Sequence, residues 1–216
     1  MKNRFVLWSL VCGILFLIVG SLVWSASRKK DEPVVIKPGL AVISPTDNVK
    51  GNKDAKIVLV EYSDFQCPAC GTYYPLVKQI ALDYKDSIAV VSRNFPLRSN
   101  HKNAQMAAQA AEAAGKQDKY WEMHDFLFER QEKWSELSDV KEIFKGYAKE
   151  LKLDEKKFEI DLTSKAVEQK VEADYQSGIQ SQVNSTPTFF LNGKKVSPRS
   201  YQDFRILIED SLKEQK

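Results

Sequence analysis

An α/β fold in the order βαβ, helical block, ββα is expected from three observations. First, two short, nearly continuous apolar runs rich in β-branched residues, "KIVLVEY" (residues 56–62) and "SIAVVSRNF" (87–95), have the pattern of strands buried on both faces. Second, between them Tyr73, Leu76, Val77, Ile80 and Leu82 recur at helical spacing, which makes a βαβ unit. Third, strand character returns only at "TPTFFLNGKKV" (186–196), where Asn192-Gly193 is a strong two-residue hairpin signal.

The elements follow in chain order. "FVLWSLVCGILFLIVGSLVW" (5–24) contains no charge and is long enough to span a bilayer at about 20 residues. Trp8 and Trp24 lie near its ends, where interfacial aromatics are favoured. A cleaved signal peptide is the alternative: its apolar core usually runs about 7 to 15 residues, and "SAS" (25–27) would supply small residues for cleavage. The length favours a retained anchor over residues 1–27. Lys2 and Arg4 on one side balance Arg28, Lys29 and Lys30 on the other, so charge alone does not orient it. Cys12 within the run reads as a small apolar residue. Residues 28–53 read as a flexible linker, with Pro33, Pro38, Pro45, Gly39 and Gly51 and no long period. The folded domain is expected over 54–216.

A helical insertion is expected at about 99–183. "NAQMAAQAAEAAG" is rich in strong helix formers and stops at Gly115; "KYWEMHDFLFER" has a wide apolar face; "VKEIFKGYAKEL" and "SKAVEQKVEADYQSGIQSQV" follow. "SYQDFRILIEDSLKEQ" closes the chain as an amphipathic helix.

The 216 residues suffice for one sizeable core. The net charge is only +3, with acids and bases interspersed and no basic stripe, which argues against nucleic acid as a partner. There are three cysteines and two histidines, and only Cys67 and Cys70 lie outside the apolar N-terminus, so a four-ligand zinc site has little support and no metal or other cofactor is expected.

Cys67-Pro68-Ala69-Cys70 follows directly on a buried strand and opens the next helix. Proline suits the first helical turn, because its missing N–H has no helical partner there. Cys67 thus falls at the positive end of the helix dipole beside unpaired backbone N–H groups, both of which favour a thiolate, the attacking species in disulfide exchange. Cys70, one turn on, can reach back to resolve a mixed disulfide. A structural disulfide here would close too small a loop to constrain the unfolded chain much. The pair reads as a redox centre.

At this point the chain resembles the thioredoxin superfamily and, within it, the DsbA-like thiol-disulfide oxidoreductases, from about residue 54 to the end. "EYSDFQCPAC" is similar to their strand-plus-active-site signature, "FPLRSNHKNAQMAAQAAEAAGKQDKYWEMHDFLF" (95–128) to the helical insertion of the anchored or secreted branch, and "VNSTPTFFLNGKKV" (183–196) to the segment carrying the family's cis-proline. The resemblance implies a thioredoxin fold with Cys67 as nucleophile and Cys70 as resolving thiol. It implies a cis Pro187, with Thr186 facing the disulfide and its backbone free for an extended substrate peptide. Without the family, Pro187 would be a trans proline at a strand edge. Pro75 stands where such active-site helices kink. Glu61 matches the acid such proteins keep beneath the site; it is either a buried proton relay to Cys70 or an edge carboxylate in water. His101 and His124 are expected to have structural roles, and Trp121 and Phe126 to be core. The strongest oxidants of the family carry His between their cysteines, so Pro-Ala here implies a lowered but less extreme Cys67 pKa.

The resemblance implies an extracytoplasmic oxidase that donates its Cys67–Cys70 disulfide to protein thiols, held at the cell membrane by one N-terminal helix. Its reoxidant would be an integral-membrane, quinone-linked protein of the DsbB or vitamin K epoxide reductase type. A tethered reductase or isomerase, or a non-catalytic binding module or chaperone, is the alternative.

Overall fold

The two apolar runs pair side by side at the centre of a mixed sheet. The computed structural model describes residues 43–215. Strands β2 (Ile57–Ser63) and β3 (Ile88–Asn94) run parallel, with Glu61 opposite Ser92. Strand β4 (Thr188–Leu191) lies antiparallel on the other side of β2, placing Phe189 opposite Glu61, and β5 (Lys194–Val196) returns from it at the edge. The hairpin between them turns at Asn192 and Gly193, both with positive φ (46° and 80°), the conformation that makes Asn-Gly favourable there. The sheet order is β1-β3-β2-β4-β5.

Helix α1 (Pro68–Asp83) connects β2 to β3. Of the apolar positions expected on its inner face, Val77 and Ile80 are buried, Tyr73 and Leu76 partly buried and Leu82 exposed, while Cys70, Tyr74 and Ala81 complete the buried stripe. The strands alternate between two cores. Ile57, Leu59, Val90, Phe189 and Leu191 pack with α1 and with the closing helix α8 (Tyr201–Lys213). Val60, Tyr62, Val91 and Phe190 face the opposite way and pack with Phe95 and Val183. Burial on both faces explains why these strands read as continuous apolar runs.

Six helices lie between β3 and β4: α2 (Ala104–Gly115), α3 (Tyr120–Glu129), α4 (Gln131–Trp134), α5 (Lys141–Glu150), α6 (Glu155–Leu162) and α7 (Lys165–Gln180). The alanines of α2 are buried almost all round, and their small side chains let α3, α6 and α7 approach closely. Asp154 and Ser164 cap α6 and α7 by accepting the N–H groups of Lys157 and Val167. This block shares its core with the active-site end of α1, since Phe65, Cys67, Cys70 and Tyr74 pack with Met123, Leu127, Phe128 and Trp134.

The domain begins before Asp54. Asn48–Gly51, placed above in the linker, is the edge strand β1, antiparallel to β3. Its sequence "NVKG" has no apolar period, and it is recruited by tertiary partners instead. Asp47 makes two bonds to the buried Arg93 guanidinium, at 2.7 and 3.0 Å, and the Asn48 amide donates to Glu112. At Gly51 (φ 87°) a Cβ would lie 2.5 Å from the Ile88 carbonyl oxygen, so only glycine fits the end of this strand. The expected anchor at 5–24, with Cys12, lies outside the described residues. Among the described residues no helix is long and apolar enough to cross a membrane.

If residues before Asp54 belong to the fold, Asp47→Ala should cost about 3 kcal/mol of stability by urea unfolding, because it removes a charge partner from a buried guanidinium. Unchanged stability would make β1 an ornament on the domain.

Candidate active site

The turn after β2 carries Cys67 to the mouth of α1, and a set of buried polar side chains holds that turn. The Asp64 carbonyl accepts the Cys67 N–H (3.0 Å). The Asp64 carboxylate accepts the N–H groups of Gln66 (2.7 Å) and Leu97 (2.8 Å) and the Nδ1 of His101 (2.7 Å). The Gln66 side chain donates to the Ser135 carbonyl and accepts the Asn103 N–H. Gln131, at the start of α4, donates to the carbonyls of both Phe65 and Cys67. The turn is thereby fastened to α2 and α4. His101 braces it, in line with the structural role expected. Asp64, Gln66 and Gln131 were missed from the sequence. Two polar residues between a strand and a Cys pair were the available signal, but their partners lie 33 to 69 residues away.

Cys67 is the N-cap of α1, with extended backbone, and Pro68 takes the first helical position. Both cysteines are buried free thiols, so the structure holds the dithiol form. The Cys67 Sγ lies 3.5 Å from the Thr186 carbonyl oxygen, and the Thr186–Pro187 peptide bond is cis. The Thr186 hydroxyl is buried at the same place, beside the Cys67 sulfur. Cys70 is fully buried and receives the Asp64 N–H at 3.5 Å.

The two thiols are driven in opposite directions. Hydrogen bonding from the Cys70 thiol, helped by the Thr186 hydroxyl and then by the backbone N–H groups of Cys70 and Ala69, outweighs burial and pulls the Cys67 pKa down to about 5. Burial, with the Cys67 sulfur and the Glu61 charge beside it, pushes Cys70 well above the ordinary thiol range. Near neutral pH the reduced pair is one thiolate and one thiol.

Glu61 is buried in the central strand, so it is not an edge carboxylate in water. Burial pushes its pKa up to about 7, and the Ser63 hydroxyl offsets part of the shift. It borders a cavity of about 10 Å³, room for about one water, shared with Lys50, Tyr74, Lys78, Trp121 and His124. Lys50 comes from β1 and was hidden in the presumed linker. His124 sits among the rings of Phe65, Tyr74, Trp121 and Phe128, and burial lowers its pKa. It is a neutral packing residue bonded to Asp125 (3.2 Å), far more core than catalyst. Trp121 and Phe126 pack partly buried against the same cluster.

A low-pKa sulfur at a helix N-terminus, a buried thiol one turn behind it and a protonatable carboxyl below can open and close a disulfide. Comparisons agree with this reading of the fold. A thioredoxin family model matches residues 43–210. The structure of oxidised BdbD from Bacillus subtilis superposes with a TM-score of 0.70 at 24% identity, over 85% of this chain and 100% of that one. Wolbachia pipientis alpha-DsbA1 gives 0.67 at 22% identity, over 78% and 92%. The catalytic domain of Proteus mirabilis ScsC gives 0.66 at 20%, over 80% and 93%. Among curated proteins the chain is similar to Na(+)/H(+) antiporters: NhaA 3 of Salinispora tropica, 39% identical over 149 residues (69% of this chain, 22% of that protein), and NhaA of Herminiimonas arsenicoxydans, 34% over 193 residues (87% and 30%). The chain spans less than a third of the length of these relatives.

Two measurements check the electrostatics. Iodoacetamide alkylation of the reduced protein should titrate at Cys67 with a midpoint near pH 5, against about 8.5 for a free thiol. A midpoint above about 8 would remove the thiolate. Because the folded pKa of Glu61 lies above its unfolded value of 4.5, the folded state holds an extra proton between about pH 4.5 and 7 and loses stability as pH rises through that window. Glu61→Gln should therefore gain stability over the parent at pH 8 and little at pH 4, by urea unfolding. Equal differences at both pH values would place Glu61 in water.

Proposed function

We propose that this chain, which belongs to the thioredoxin family and has a DsbA-like fold, is a thiol-disulfide oxidoreductase that works outside the cytosol as a disulfide donor to protein thiols. The opposed shifts of Cys67 and Cys70 carry this direction. A sulfur whose anion is favoured at neutral pH stabilises the reduced protein, and a stabilised reduced form makes the disulfide an oxidant.

In the oxidised enzyme a substrate thiolate attacks the Cys67 sulfur. The Cys67–Cys70 bond breaks, the substrate is joined to Cys67, and Cys70 leaves and takes up a proton. Glu61, neutral below about pH 7 and close enough to act on Cys70 through its charge, supplies that proton. A second substrate thiolate then attacks the substrate's own sulfur of the mixed disulfide. Cys67 departs as the thiolate its site favours. The substrate has lost two electrons and the enzyme has gained them. Thr186 and Pro187 border the sulfur and present the backbone against which an extended substrate lies.

Residues 5–24 hold the domain at the cell membrane, and an integral-membrane, quinone-linked thiol oxidase of the DsbB or vitamin K epoxide reductase type restores the disulfide. The similarity to antiporters covers a minor share of those proteins, and ion transport is not part of this proposal.

The reduction potential of the Cys67–Cys70 pair, equilibrated against glutathione, tests the direction. A value well above that of thioredoxin, about −270 mV, is expected. A value at or below it would overturn the donor reading in favour of a reductase.

A further inference from the structure

Beside the dithiol runs a groove of about 380 Å³ whose lining has one sign of charge. It begins at Pro187 and Thr188, one residue from the carbonyl that contacts Cys67, and is bounded by Tyr73 of α1 and by the end of β5. Its far wall is fixed: the Tyr73 hydroxyl donates to the Pro198 carbonyl at 3.0 Å. The lining contains Lys195 and Arg199 and no acidic residue. Both cations are exposed, and among the described residues neither side chain makes an ion pair or hydrogen bond. Asp203, four residues beyond Arg199, accepts the Arg199 backbone N–H at 2.8 Å and makes no ion pair with the guanidinium. Some surface cations elsewhere are matched, Lys78 with Asp125 and Glu129 and Arg98 with Glu172, and others such as Lys53, Lys85 and Lys152 are unpaired among the described residues; what marks Lys195 and Arg199 is that they share one groove with no acidic residue in its lining.

We propose that this groove selects substrate segments carrying acidic side chains next to the reacting cysteine. The inference rests on the exchange chemistry proposed above and names its substrate class. Two unmatched cations lining a groove that begins next to Thr186, whose carbonyl contacts the Cys67 sulfur, favour encounter with an anionic segment and disfavour a cationic one, and salt screens the effect. Apolar contact with Tyr73, Val196 and Pro198 leaves room for the rest of the peptide. The groove therefore discriminates by charge as well as by shape.

The test uses the oxidised full chain and three peptides, each with the same pair of cysteines and flanked by Asp, Gln or Lys. In each reaction the peptide dithiol becomes a disulfide while the Cys67–Cys70 disulfide becomes a dithiol. At low salt the Asp peptide should react about three- to tenfold faster than the Lys peptide, and the ratio should shrink towards one by about 0.5 M salt. In Lys195→Glu/Arg199→Glu the ratio should invert; in Lys195→Gln and Arg199→Gln it should fall part of the way. The ratio is internal to each variant, so a uniform loss of activity does not disturb it. The same ratio in parent and variants, or none in the parent, would overturn the groove's role. Reaction of the parent with dithiothreitol, which is uncharged, reads the underlying chemistry separately: if that fails, the exchange reading falls and the groove proposal with it.

Discussion

The sulfur of Cys67 can be an anion only because the head of α1 is held still around it. The chief donor to the sulfur is the Cys70 thiol one turn on, the helix start adds the backbone N–H groups of Cys70 and Ala69, and Pro68 removes the one donor that would have no role in the first turn. Those donors are useful only at fixed distance, and the distance is set by the turn from Asp64 to Gln66. Its polar side chains bond into α2, α4 and the segment after β3. The helical block thus has a task beyond covering the sheet. It holds the turn from the side opposite the sheet, so that the thiolate is stabilised from both.

The same rigidity separates the two cysteines chemically. Both are buried and one helical turn apart, yet one faces the Thr186 carbonyl and the mouth of the site while the other is sealed into the core among Tyr74, Phe65 and the block. Burial without donors penalises charge, and burial among donors rewards it. A single negative charge therefore settles on the outer sulfur. Glu61 below is subject to burial alone, with little to offset it, and so becomes a carboxyl that changes state near neutral pH.

Buried polar groups elsewhere tie the sheet to the block. Glu112 accepts from Asn48 and Asn94, and Asp174 accepts from Asn94 and Lys170, so β1, β3, α2 and α7 meet in one satisfied network. Arg93 joins Asp47 to the Tyr62 hydroxyl in the same region. Such networks stabilise little in net terms but are costly to break, which favours one arrangement of the layers.

Much of this was legible in the chain. Ile57–Ser63 and Ile88–Asn94 announce themselves because burial on both faces favours apolar residues at consecutive positions, as in their first four, and Asn192-Gly193 because a tight turn demands positive φ. Cys67 and Cys70 were legible because a Cys-Pro-Ala-Cys run opening a helix after a buried strand has a physical purpose of its own. β1 was not, since a four-residue polar edge strand is specified by Arg93 and Glu112 far along the chain and not by its own pattern. Asp64, Gln66 and Gln131 were opaque for the same reason: a polar side chain states what it can bond, while burial decides that it must. By itself the sequence determined the strand-helix-strand order around the Cys-Pro-Ala-Cys run and the Asn192-Gly193 turn, which depend on near neighbours. Only the tertiary structure decided how deeply Cys70 is sealed, that Glu61 is buried and which cations flank the groove, because these depend on solvent exclusion and on partners remote in the chain.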